Sequence, residues 1–226
     1  MCFSAEASFV ASGTLAATSV AIARVPKERA GVPLSLFPAI FAAHQLIEGM
    51  IWLNHDGVLP DTYKVAAVYA YALIAYVLWP ILVPLSAYLL ERDKRRRGIM
   101  LVCQAVGLGV GLSLLVAFVR DGVVVTADCC SLSYYVNAPF MLTAPYLVAV
   151  AVPFLASSRK SLVLFGAGVA ASCAAALIAT SAATFPSVWC FFAALLSAGL
   201  YLHFRAAARV VARPPGMGTT ASAGAH

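Results

Sequence analysis

Charge is what this sequence lacks. Lysine and arginine number 15, and aspartate and glutamate 9, among 226 residues, so charged side chains make up 11%. A soluble domain carries about 25%. So few charges cannot hydrate the surface of a soluble fold, and 62% hydrophobic residues with a mean hydropathy of +0.91 point the same way. No lysine or arginine precedes Arg24. A cleavable signal peptide opens with positive charge, so the first apolar run is expected to be a retained span. No C-x-x-C or H-x-x-x-H pair occurs, which removes the commonest metal frameworks. The last apolar run holds no lysine, which excludes a retinal Schiff base.

What is present is apolar sequence in lengths that suit a bilayer. A span needs about 20 apolar residues. Seven such runs are expected, at residues 3–23, 32–53, 63–90, 98–119, 138–155, 161–180 and 185–204. The fold class is therefore an all-α, seven-helix transmembrane bundle over residues 1–205, followed by a disordered cytoplasmic tail over 206–226. That tail is rich in Gly, Ala, Thr and Pro. Pro80 and Pro84 fall inside the third run, where a kink or break is expected. Pro139, Pro145 and Pro153 should make the fifth irregular.

The basic residues set an orientation. If the spans alternate, thirteen of the fifteen fall on one side, and only Lys64 and Arg120 on the other. Lysine and arginine accumulate in cytoplasmic loops. The N-terminus is therefore expected outside and the C-terminus in the cytoplasm, in the cell inner membrane. Because these charges sit in short loops between apolar runs, the net charge of +6 does not imply nucleic-acid binding. The expected partner is the lipid bilayer, and no pattern names a cofactor.

Small residues recur at four-residue spacing. Ser4, Ser8 and Ser12 form one row, Gly107 and Gly111 a second, and Gly166, Ala170 and Ala174 a third. Such rows let helices approach closely in lipid. The segment "GLGVG" is part of the second row and not a nucleotide loop, since no strand precedes it.

The stretch "HQLIEGMIWLNH", residues 44–55, carries the chemistry. At 100° per residue, Phe41, His44, Glu48, Trp52 and His55 share one face. A carboxylate within a span costs roughly 2.5–3.5 kcal/mol on insertion scales. A lone glutamate meets that cost by keeping its proton, or by sharing one with a histidine. His44 lies one turn from Glu48. One reading makes the two an acid/base pair or metal ligands of an enzyme acting on an apolar substrate from the outer leaflet. A second makes Glu48 the protonatable group of a proton-linked transporter or sensor. A third makes it, with Gln45, an interhelical hydrogen bond that fixes packing or a partner-binding form. The sequence leaves all three open.

Glu6 and Cys190 fall in the same membrane layer as Glu48 and are candidate neighbours, with Ser4, Gln45 and Trp52 around them. Snorkelling competes with a role for Glu6, and plain core packing with a role for Cys190. His203, at the opposite end of the last span, fits an interfacial position. Cys2, Cys129 and Cys130 are expected outside, where a bond from Cys2 to Cys129 or Cys130 could form. A Cys/Asp/His metal site drawing on those cysteines, Asp128 and His55 is the alternative.

The opening "MCFSAEASF", with Gln45, Glu48 and Trp52 spaced as Gln-x-x-Glu-x-x-x-Trp in the next span, resembles an uncharacterised family of small bacterial multi-span membrane proteins. Members begin Met-Cys-Phe-Ser-Ala-x-Ala-Ser-Phe. The resemblance runs through the spans and leaves out the tail. It implies a membrane location and a shared site, but no reaction. Position 6 varies in that motif, which moves weight from Glu6 to Cys2, Ser4 and Glu48. Seven-span metal-dependent membrane hydrolases, the alkaline ceramidases among them, offer only an architectural analogy. Their His-x-x-x-His pair in the last span is not here.

Overall fold

Ser4 accepts a hydrogen bond from the Ala7 amide at 3.3 Å, and a helix starts there. The side-chain oxygen satisfies one of the four amides that a helix start leaves open. The computed structural model describes residues 4–128, 131–179 and 184–211. Its helices are α1 Ala5–Ala23, α2 Val32–Ser35, α3 Phe37–His55, α4 Lys64–Ala72, α5 Trp79–Leu90, α6 Lys94–Asp121, α7 Thr143–Leu155, α8 Lys160–Ala179, α9 Phe185–Ala198 and α10 Leu200–Val211. A π-helical stretch, Leu73–Leu78, joins α4 to α5 without a break.

Among the described residues, six helical stretches are long and apolar enough to cross a membrane. The α7 helix is apolar but only 13 residues long. At 1.5 Å per residue it reaches about 20 Å, short of a hydrocarbon core of about 30 Å. A 3₁₀ turn at Phe140–Leu142 precedes it, so the expected irregularity of this run is present. The last helix continues to Val211, past the point where the tail was expected to begin. Residues 212–226 lie outside the described residues.

The bundle closes around α3. It packs against α1 on one side, α4 on another and α9 on a third, while α5, α6, α7, α8 and α9 follow one another around the ring. The small-residue rows sit where helices come closest. Ser12 donates to the Ala42 carbonyl of α3 at 2.8 Å, and Ser8 is buried. A Cβ at Gly166 would lie 2.6 Å from the Phe154 Cβ of α7.

The prolines explain the third run. Pro80 and Pro84 have no amide to donate, so each leaves the carbonyl four residues earlier without its helical partner. The π-helical stretch ends just before Pro80 and absorbs the first of these gaps. The second leaves the Pro80 carbonyl open, and Gly107 of α6 packs directly onto it. A Cβ at Gly107 would sit 1.8 Å from that oxygen. Only glycine fits, which gives the Gly107/Gly111 row its physical basis.

The all-α expectation needs one correction. Residues between α6 and α7 form an antiparallel hairpin of β1 Val123–Asp128 and β2 Ser131–Val136, with Val123 opposite Val136 and Asp128 opposite Ser131. Gly122, at φ +78°, ends α6 and turns the chain into β1. The run Val123–Thr126 is entirely β-branched, which favours an extended strand. The hairpin lies against α4, α6 and α9 and buries Leu132, Ser133 and Tyr134 while Tyr135 stays exposed.

Candidate functional site

The face of α3 singled out by its spacing is buried. His44, Gln45, Glu48 and Trp52 are all inside the bundle, and Glu48 is only 2% exposed. His55 is exposed one turn beyond, with its ring edge-on to Trp52 at 6.2 Å. Phe41 stacks on Trp79 of α5 at 4.2 Å.

The pairing of His44 with Glu48 does not form. The Glu48 carboxyl instead accepts from Gln45 Nε2 at 3.1 Å, on its own helix, and from the Ser187 hydroxyl of α9. The second bond ties α3 to α9. His44 turns the other way and stacks on Tyr71 of α4 at 4.0 Å. Tyr71 in turn stacks on Tyr134 of β2, at 4.2 Å and nearly parallel. A three-ring column therefore runs from α3 through α4 to the hairpin. Among the described residues, the Tyr71 main chain is the one polar group close to the His44 ring nitrogens, and its geometry falls short of a full hydrogen bond.

The remaining candidates separate. Cys190 is buried one turn after Ser187 and joins this region. Ser4 caps α1, and Glu6 is exposed on the first turn of that helix, so neither enters the cluster. Cys2, Cys129 and Cys130, with the disulfide or metal site they were to form, lie outside the described residues. Among the described residues, no three His, Cys, Asp or Glu side chains come together as a metal site would require. The expectation of Glu48 and His44 as metal ligands therefore gains no support from a donor set.

Cys190 also lines a cleft. A cavity of about 420 Å³ lies under the hairpin, walled by Tyr76, Tyr134, Tyr146, Trp189 and Cys190. Its rim includes Tyr135 and Leu177, both exposed. A smaller void of about 40 Å³ lies deeper, lined by Phe41, Trp79, Trp189 and Cys190 among others. Glu48 and His44 line neither.

A second buried carboxyl escaped the sequence reading. Glu91 follows the last residue of α5 and is 3% exposed. Its oxygens accept from the amides of Arg92 at 2.9 Å, Asp93 at 3.0 Å and Ser158 at 2.7 Å, and from the hydroxyls of Ser157 at 3.3 Å and Ser158 at 2.7 Å. Burial alone would raise its pKa, but these bonds outweigh it and bring the carboxyl down to about 2. Arg96 completes the junction by donating to the carbonyls of Ala156 and Ser157 at 2.7 and 3.0 Å. The clue in the sequence was an acidic residue at the head of the basic stretch "ERDKRRR", facing "SS" in the next loop on the same side.

An apolar helical bundle with six bilayer-length helices and a polar node buried inside it is a multi-pass membrane protein. The chain belongs to the family of unknown function DUF6629, whose model matches residues 1–215. No curated protein and no solved structure matches it.

Proposed function

We infer that this protein binds an apolar or amphipathic small molecule in the cleft beneath the hairpin, as a membrane sensor or carrier. The Glu48–Gln45–Ser187 node forms the protonatable floor behind the cleft. One observation carries this reading: Cys190 walls the cleft one helical turn from Ser187, whose hydroxyl holds the Glu48 carboxyl, and Tyr134 walls it while ending the ring column that starts at His44. A ligand that displaces either side chain alters the surroundings of that carboxyl. The exposed rim residues Tyr135 and Leu177 favour entry from the side, out of lipid. An aromatic, mostly apolar wall with a few hydroxyls suits such a ligand. The acid/base hydrolase reading is weaker, because neither Glu48 nor His44 reaches a cavity that could hold substrate.

The same proposal includes the setting. The chain crosses the cytoplasmic membrane seven times, with its N-terminus and hairpin outside and its C-terminus inside, and residues 1–205 form the membrane domain. The lysine and arginine distribution supports this orientation.

The test is quenching of tryptophan emission by a doxyl-labelled stearic acid, with the protein in detergent. Trp189 lines the cleft, so saturable quenching is expected, and Ala138→Phe, which fills the rim, should weaken it. Quenching that never saturates, or that is identical in the variant, would sink the reading.

A further inference from the structure

At the end of the bundle away from the hairpin, three separate segments bring two cations and an imidazole to one cavity. Its volume is about 370 Å³. Lys27 comes from the segment before α2, Arg159 from the turn before α8, and His203 from α10, and all three line it. The other wall is apolar, built from Leu90, Phe204 and Ala207 with Gly31 beside them.

The charges in this cavity are not neutralised by the protein. Among the described residues, the Arg159 guanidinium meets no carboxylate and makes no hydrogen bond; its main chain is engaged, the amide donating to Ser157 and the carbonyl accepting from Leu162 and Val163. Lys27 donates once, to the Ala23 carbonyl at 3.4 Å, which leaves the rest of its ammonium open. His203 uses Nδ1 with the Ser161 hydroxyl at 2.7 Å, so Nε2 remains for another partner. Glu28 is the single acid on the cavity wall, and its carboxylate is held by Arg92 at 3.3 Å. Arg159 also stands immediately before α8, whose first turn carries no acidic side chain to compete for its charge.

We propose that this cavity holds the phosphate group of an anionic amphiphile, with Lys27, Arg159 and His203 on the phosphate and Leu90, Phe204 and Ala207 against the apolar part. A cationic cluster beside an apolar wall at a bundle end matches the two halves of a phospholipid. Arginine, with its planar fork of donors, is the best single phosphate ligand of the three. The proposal does not rest on the hairpin cleft or on what binds there.

The experiment follows the thermal midpoint of the detergent-purified full chain against three additives. These are dihexanoyl phosphatidylglycerol, dihexanoyl phosphatidylcholine and inorganic phosphate. The glycerol lipid should raise the midpoint in a saturable way, and the choline lipid, with the same chains and no net charge, should not. Arg159→Gln should weaken the apparent affinity about tenfold, as expected for losing a charge-assisted bond. Lys27→Gln provides the same test from another segment should the first variant fold poorly. A saturable shift with inorganic phosphate, lost in Arg159→Gln, identifies the free anion as the source of the same chemistry. Equal shifts with both lipids, or shifts unchanged in both variants, overturn the proposal.

Discussion

Glu48 and Glu91 are both carboxyls with almost no exposed surface, and the protein treats them in opposite ways. Glu91 receives five hydrogen bonds, three of them from main-chain amides. Glu48 receives two, both from neutral side chains. The difference follows from position. Glu91 sits where helices end, and helix ends and turns leave amides unpaired. Glu48 sits in the middle of α3, where every nearby amide is already used by the helix. A carboxyl at a junction is solvated by the main chain and can act as a fixed anion. A carboxyl inside a span has only the side chains that packing brings to it. Two buried acids of similar exposure thus end in opposite settings, one caged by main-chain amides and the other held by two neutral side chains.

The largest expected effect comes from removing the caged acid. Glu91→Gln keeps the size but replaces an acceptor oxygen with a donor that faces other donors. Leaving buried donors unpaired costs about 1–3 kcal/mol each in the worst case. A loss near 3 kcal/mol, read as a fall of roughly 6–12 °C in the thermal midpoint in detergent, is expected. A fall no larger than that of Glu48→Gln would erase the contrast.

Acid titration sharpens the same point. The folded Glu91 pKa of about 2 lies below the ordinary 4.5. The contribution is therefore fully present above pH 4.5 and is lost as pH falls toward 2. It should amount to about 3–4 kcal/mol, taking each pKa unit as about 1.4 kcal/mol. Stability of the wild-type protein, followed by chemical unfolding in detergent, should drop across that window by this much more than that of Glu91→Gln. Parallel curves would show that the caged carboxylate is not what stabilises the junction.

Ser187→Ala removes the bond that ties Glu48 to α9 and should cost about 1–2 kcal/mol. Glu48→Gln should cost least, about 1 kcal/mol or less, since an amide can still accept from Gln45 and reach Ser187. If Glu48→Gln is the more damaging of these two by midpoint, the node depends on the acid itself and not on its shape.

Much of the fold was legible along the chain. The apolar runs marked the helices, and the small-residue row at Gly107 marked the contact with the Pro80 carbonyl. The resemblance to an uncharacterised family is consistent with the family of unknown function whose model matches residues 1–215. The buried face of α3 was legible as well, because a 3.6-residue period is a local signal. The hairpin was missed despite its β-branched run. A short strand inside a loop is hard to separate from an apolar loop by period alone. The His44–Glu48 pairing was read from proximity on one helix, and it failed because each side chain found a better neighbour on another.

Sequence by itself determined that this chain is an apolar membrane bundle and which helix carries the ionisable face. Those properties follow from composition and local period, which any window of the chain reports. Tertiary structure alone decided that Glu48 bonds to Ser187, 139 residues away, that His44 stacks under Tyr71 and Tyr134, and that Glu91 is caged by the loop after α7. The physical reason is the same in each case. A buried polar group must be satisfied by whatever the packing presents, and packing is set by the whole bundle, not by neighbours in the chain.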